Sequence, residues 1–171
     1  MKIFETERLV LRQLSTDDAA FILSLLNDPG WLQFIGDKGV RNLDDAKDYI
    51  LQGPVAMYAS HGFGLWLVEE KTSRVPTGLC GLIKRDSLED VDIGYAFLPD
   101  YRALGYALES ATAVMNYGHE VLSLSRIVAI TSPDNQRSVQ LLEKLQMRAG
   151  GIEKLTGLDG EVMFFTRDFP G

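Results

Sequence analysis

The sequence predicts a mixed α/β (α+β) domain: a mostly antiparallel sheet with one parallel strand pair near its centre and helices packed around it. Three observations predict it. Strand-like runs at residues 63–70, 77–84 and 91–98 follow one another across short turn-forming stretches, which makes an antiparallel meander. The last run feeds a long helical pattern at 105–121 and then a near-continuous apolar run at 126–132. Strand, helix and strand of these lengths form a right-handed crossover that pairs its strands in parallel. Finally, 171 residues with 46% hydrophobic and 24% charged content are the size and make-up of about one soluble globular domain.

The elements follow in order. Residues 8–14 alternate apolar side chains with arginines and read as the first strand. Ser15-Thr16-Asp17-Asp18 sets an N-cap serine three residues before an acid, a variant of the capping box. It opens a helix through Ala20, Ile22, Leu25 and Leu26 that Asp28-Pro29-Gly30 ends. Residues 31–40 read as an irregular loop punctuated by Gly36 and Gly39, and Asn42 caps a second helix reaching about Leu51. In the run at 91–98, Ile93, Tyr95 and Phe97 share one face and Asp92, Gly94 and Ala96 the other, the period of a half-buried strand. Pro99 and Asp100 stop it. In the next helix Leu108, Ala111, Val114 and Met115 recur every three or four residues. Ile127, Val128, Ala129 and Ile130 then form a strand covered on both faces. Pro133-Asp134-Asn135 breaks the chain before a helix through Val139, Leu142 and Leu145. Two last strands, 148–155 and 161–167, flank Leu158-Asp159-Gly160, where Asp-Gly is a hairpin signal.

Between the strand at 91–98 and its helix lies Arg102-Ala103-Leu104-Gly105-Tyr106-Ala107. The first turn of a helix has backbone N–H groups without internal partners and carries the positive end of the peptide dipole. Gly105 has no side chain to hold a phosphate away, Ala107 is nearly as small, and Arg102 supplies a charge, so the junction suits a phosphorylated ligand. A lone glycine before a helix is also common in proteins that bind nothing. Neither G-x-x-x-x-G-K-[ST] nor G-x-G-x-x-G is present, which argues against a nucleoside triphosphatase and a dinucleotide fold.

The bulk numbers exclude further classes. A net charge of −7 with pI near 4.8 disfavours nucleic acid or an anionic membrane as partner and would attract a cationic substrate. No run approaches the roughly 20 apolar residues of a membrane span, and MKIFETERL lacks the apolar core of a signal peptide, so a cytoplasmic protein is expected. Cys80, the single cysteine, has no partner for a disulfide or a metal site and reads as a small buried hydrophobe. His61 reads as a loop residue and His119 as a neighbour of a helix C-terminus.

Four motifs in fixed order resemble the GNAT superfamily of acetyl-CoA-dependent N-acetyltransferases, in the branch that includes the ribosomal-protein N-terminal acetyltransferases. They are Thr6-Glu-Arg-Leu-Val-Leu-Arg12, Asp92-Ile-Gly-Tyr95, the loop Arg102 to Ala107 with Glu109 after it, and Asn135-Gln-Arg-Ser138 before a helix ending in Leu145. The resemblance covers nearly the whole chain and implies one acetyltransferase domain over residues 1–171, with the central parallel pair splayed apart. It implies acetyl-CoA as co-substrate and a primary amine as acceptor: a protein N-terminal α-amine, a polyamine or a small-molecule amine. The pantetheine arm would lie in the splay against backbone of Phe97 and Leu98. The phosphates would lie on Arg102, Ala103, Leu104, Gly105, Tyr106 and Ala107, with Asn135 bonding the arm and a backbone N–H near Gly94 to Ala96 polarising the thioester. Asp92 becomes the base or an acid that orients the amine, and Ser138 the proton donor to the departing thiolate. Trp31, Phe34 and Ile35 become a substrate wall or, equally, a local hydrophobic cluster. Asp86, Glu89 and Asp90 become an acidic rim.

Three positions depart from the family pattern. The helix tyrosine that many members use as acid is Leu142. The middle of the phosphate loop is the uncharged pair Ala103-Leu104, which predicts weaker cofactor binding. Where some relatives carry a glutamate base on the penultimate strand, Thr156 stands here, with Glu153 nearby. Two other readings therefore stand beside the enzyme: a silent acetyl-CoA-binding module, and an interaction domain whose loop binds no phosphate. Related folds often dimerise, and no surface in this sequence marks a partner face.

Overall fold

The computed structural model describes residues 1–154 and 160–170. Its centre is an eight-stranded sheet in the order β1-β2-β3-β4-β5-β6-β8-β7. The strands are β1 Lys2–Glu5, β2 Leu9–Arg12, β3 Leu65–Glu70, β4 Pro76–Ile83, β5 Asp92–Phe97, β6 Arg126–Thr131, β7 Arg148–Lys154 and β8 Glu161–Asp168. Neighbours run antiparallel except β5 and β6, which are parallel and joined through the helix α5, Tyr106–Glu120. The meander, the crossover and the mixed class expected from sequence are all present.

The sheet is covered on both faces. One core packs Leu9, Leu11, Trp66, Ile93, Phe97, Ala129 and Phe165 under α5 and under α6, Gln136–Lys144. The other packs Leu67, Leu79 and Ala96 under α1 Ala19–Leu26, α2 Pro29–Phe34 and α3 Leu43–Ile50. Strand β5 is thus buried on both faces rather than half-buried. Its alternation reports which core each residue joins, not which side meets water.

Three elements differ from the sequence reading. The chain begins with β1, whose Phe4 packs against the rings of Trp66 and Tyr117. Asp28-Pro29-Gly30 closes α1 but also opens α2: Asp28 Oδ2 accepts the N–H groups of Gly30 and Trp31 at 3.0 and 3.3 Å, and Pro29 sits at the first helical position. An Asp-Pro pair is as good a helix start as a stop, because the proline lacks the one N–H that a first turn leaves unpaired. The third is α4, Ala56–His61, joined to α3 by a π-turn at Leu51–Val55 that contains Pro54. The wider turn accommodates a residue that cannot donate to the ladder. Both caps expected from sequence are in place, with the Ser15/Asp18 box closing on itself and Asn42 accepting from Asp45 N at 2.8 Å. Thr156 and the Leu158-Asp159 half of the expected turn lie outside the described residues. The strands beside it, β7 and β8, pair from Arg148 opposite Thr166 to Lys154 opposite Glu161.

Candidate active site

Strand β5 pairs with β4 over six positions but with β6 at only one, Asp92 opposite Val128. The Val128 N–H donates to the Val91 carbonyl at 3.0 Å, and beyond that point the strands part. Backbone polar groups alternate sides along a strand. Val91 faces β6, and Leu98 donates its N–H to Thr77 of β4 at 3.0 Å, so the even positions serve β4 and the odd ones face the gap. Ile93 is still held at the one bridge to Val128, whereas Tyr95 and Phe97 present their N–H groups to a slot with no strand across it. A cavity of about 810 Å³ occupies this slot and continues under α2 and α3.

The two faces of β5 bring different chemistry to the slot. On the α1–α3 side Asp92 is buried, at 1% exposure, with Arg85 Nε 3.2 and 3.3 Å from its two oxygens. Loss of water pushes its carboxyl up from 3.8 to about 6, further than the Arg85 charge pulls it down. On the α5–α6 side the Tyr95 hydroxyl lies 2.6 Å from Ser138 Oγ and 3.4 Å from the Ser138 carbonyl. Burial pushes that phenol up to about 12, so it is protonated at neutral pH. Leu142, at the position where many family members carry a helix tyrosine, is a core residue at 1% exposure. A tyrosine reaches Ser138 all the same, from the strand and not from the helix.

At the open end of the slot Gly105 precedes α5 at φ +83°, and no side chain caps the helix. Ala103 also has a positive φ, +64°. Arg102 is turned across the loop: its Nε donates to the Phe97 carbonyl at 2.9 Å and its Nη2 is paired with Asp28. The expected phosphate cation thus ties the loop to α2. The loop's own brace is Arg8, whose Nη1 donates to the Leu104 carbonyl at 2.9 Å and whose Nε pairs with Glu109 at 2.6 Å. Glu109 also accepts from Thr6 Oγ1 at 2.6 Å and Arg8 N at 2.9 Å. The first and third sequence motifs are therefore one unit that holds the start of α5 against β2. Two cations of α6, Arg137 and Lys144, line the cavity and were not singled out from sequence.

Gly105, Ala103 and Ala107 line the cavity, as do Phe97, Asn135 and Ser138. Asn135 also caps α6 through Ser138 N at 3.2 Å. Leu98 is not among the lining residues; its N–H goes to Thr77 and its carbonyl accepts from Tyr101 N at 3.0 Å. Leu104 is nearly half exposed and outside the cavity, and the Tyr106 ring turns away, its hydroxyl donating to Glu70 at 2.7 Å. Trp31, Phe34 and Ile35 all line the cavity, and Trp31 is buried in a core as well, so wall and cluster are one feature. Asp86, Glu89 and Asp90 are not among the lining residues. Cys80 is fully buried with its thiol pushed up to about 12 by loss of water, and His61 sits at the exposed end of α4 beside Ser60.

Comparison with known proteins decides the family. The acetyltransferase (GNAT) domain matches residues 8–148. The chain is a GNAT acetyltransferase. A protein of Bacillus subtilis, YoaA, described as an uncharacterized N-acetyltransferase, is 29% identical over 151 residues, covering 88% of this chain and 85% of that one. Among solved structures, an acetyltransferase from Agrobacterium tumefaciens superposes with a TM-score of 0.83 at 21% identity, covering 99% of this chain and 95% of that one. A RimL ribosomal L7/L12 alpha-N-protein acetyltransferase in complex with coenzyme A gives 0.82 at 18% identity, covering 98% of each chain. These structural likenesses show a shared GNAT fold. Within it the splayed β5–β6 pair and the loop before α5 are the features around which this chain's candidate residues gather.

Proposed function

We propose that the protein transfers the acetyl group of acetyl-CoA to a primary amine by direct attack, with Asp92 as base and Ser138, backed by Tyr95, as donor to the departing thiolate. The observation that carries this reading is the slot itself. A buried carboxyl opens on one face, a hydroxyl pair on the other, and unpaired strand N–H groups lie between them.

The chain's groups fit the cofactor. The N–H groups of Tyr95 and Phe97 match an extended amide-bearing arm laid beside the strand, as an added strand would be. The uncapped start of α5 suits a pyrophosphate, and Arg137 and Lys144 add the charge that Ala103 and Leu104 lack. Acetyl-CoA supplies an acyl group activated as a thioester. The Tyr95 N–H faces the slot in the middle of the strand, where it would polarise the thioester carbonyl.

A lysine-like amine, with a pKa near 10, is neutral in only about one molecule in a thousand at pH 7. Asp92, at about 6, is mostly ionised there and takes the proton that the nitrogen sheds as the C–N bond forms. The C–S bond then breaks. A thiol's ordinary pKa is about 8.5, so a phenol at about 12 does not simply hand over its proton. Tyr95 instead donates to Ser138 Oγ, which leaves the serine hydrogen to meet the sulfur as negative charge develops.

The test is thiol release from acetyl-CoA across N-terminal peptides, lysine peptides, spermidine, an aminoglycoside and amino acids. Release with one acceptor class is expected. Silence with every amine, while CoA still raises the melting temperature, would leave a binding module in the enzyme's place.

A further inference from the structure

The charge lining the cavity is opposite in sign to the charge of the chain. The protein carries −7 overall, yet among the described residues the charged side chains lining the cavity are Lys38, Arg85, Arg102, Arg137 and Lys144, with Asp92 as the one carboxylate. At Asp92 a polycationic acceptor such as a polyamine would meet one carboxylate, already paired with the Arg85 guanidinium.

The part of the cavity next to Asp92 is apolar. Ile83 is the strand partner of Asp92, Leu65 and Ile83 flank Gly94, and Tyr49 lies within the electrostatic reach of Arg85. Trp31 and Phe34 continue this wall from α2. Within it stand donors that lack acceptors. Arg85 uses only Nε on Asp92, and its two outer nitrogens make no hydrogen bond among the described residues. The Arg85 side chain is 30% exposed, so this outer edge is open to an acceptor atom brought by a ligand. An ammonium offers none. A carboxylate offers several, in the planar form that a guanidinium binds in two-pronged fashion.

We infer that the acceptor is a free amino acid with an apolar side chain, its amine at Asp92, its carboxylate on the outer edge of Arg85 and its side chain against the apolar wall. This rests on the acetyl-transfer reading and names the substrate class of that same site. Arg85 then has two roles, holding the base and selecting the acceptor.

The experiment measures binding apart from turnover. Calorimetry on the protein saturated with CoA compares L-phenylalanine, phenethylamine, which lacks the carboxylate, and spermidine. Phenylalanine is expected to bind at least about tenfold more tightly than either, as a charge-assisted pair contributes. Arg85→Gln is expected to abolish the advantage of phenylalanine, so that the ratio of its affinity to that of phenethylamine falls at least about tenfold, to near one. Spermidine or phenethylamine binding as tightly as phenylalanine, or none of the three binding, overturns the inference. Thiol release is read separately. Release with spermidine and no binding of phenylalanine sinks the substrate class but leaves acetyl transfer standing. Phenylalanine bound with no release for any amine sinks acetyl transfer but keeps the site.

Discussion

Two carboxylates, Asp92 and Glu109, each face an arginine, and they titrate in opposite directions. Both lose water on folding. Burial pushes Asp92 up, further than Arg85, a backbone hydrogen bond and the Lys84 charge together pull it down. Burial also pushes Glu109 up, but Thr6, the Arg8 backbone N–H and the Arg8 guanidinium together carry it below its ordinary 4.5. What separates them is the number of donors. Glu109 has the partners that keep a carboxylate ionised, and through Arg8 it holds the loop before α5 in place. Asp92 has been dried without being satisfied, which leaves it able to accept a proton near neutral pH. A carboxylate that braces the fold and one that can do chemistry are thus told apart by what surrounds them.

The sharpest way to break this comparison is to neutralise each acid in turn. Asp92→Asn is expected to lower kcat by about 10²- to 10⁴-fold, the usual contribution of a general base, with acetyl-CoA affinity unchanged by calorimetry. The same variant should gain stability. A folded-state pKa raised from 3.8 to about 6 means that the ionised carboxyl destabilises the fold. The penalty is absent below about pH 4 and grows to about 3 kcal/mol above pH 6, so Asp92→Asn should melt higher than the parent at pH 8 and alike at pH 4. Ser138→Ala and Tyr95→Phe are each expected to lower kcat by about 10- to 100-fold, and the double variant by little more than the worse single one, since the two hydroxyls act as one donor. Losses that multiply would separate them. Glu109→Gln should leave kcat within about twofold and reduce stability by about 1 to 2 kcal/mol, a fall of several degrees in Tm. Its pH dependence runs the other way from that of Asp92: the stabilisation from Glu109 is present above pH 4.5 and is lost as pH falls through its lowered folded-state value.

The same contrast explains what could be read from the sequence. The path β5–loop–α5–β6 was legible because period-two and period-3.6 patterns, Pro99 and Gly105 are local signals. The caps at Ser15 and Asn42 were legible for the same reason. Tyr95 meeting Ser138 was not, since 43 positions separate them and only the crossover geometry brings the strand face to α6. The brace between Arg8 and Glu109 spans 101 positions, although the co-occurrence of their motifs was a signal of it. Arg102 read as a phosphate ligand because nothing local revealed that Asp28, 74 positions earlier, would take its guanidinium. Short elements such as β1, α2 and α4 carry too few residues for a period to show, and Pro29 read as a break in a chain that in fact starts a helix on it.

The most direct test of the account is the pH dependence of kcat/KM for acetyl transfer to a weakly basic amine, one that is neutral throughout the range, in the parent and in Asp92→Asn. The account predicts that the parent rises through an apparent pKa of about 6 and that the variant is slow and flat. A parent without that limb, or a variant that keeps both the limb and the rate, would contradict the assignment of Asp92 as the base.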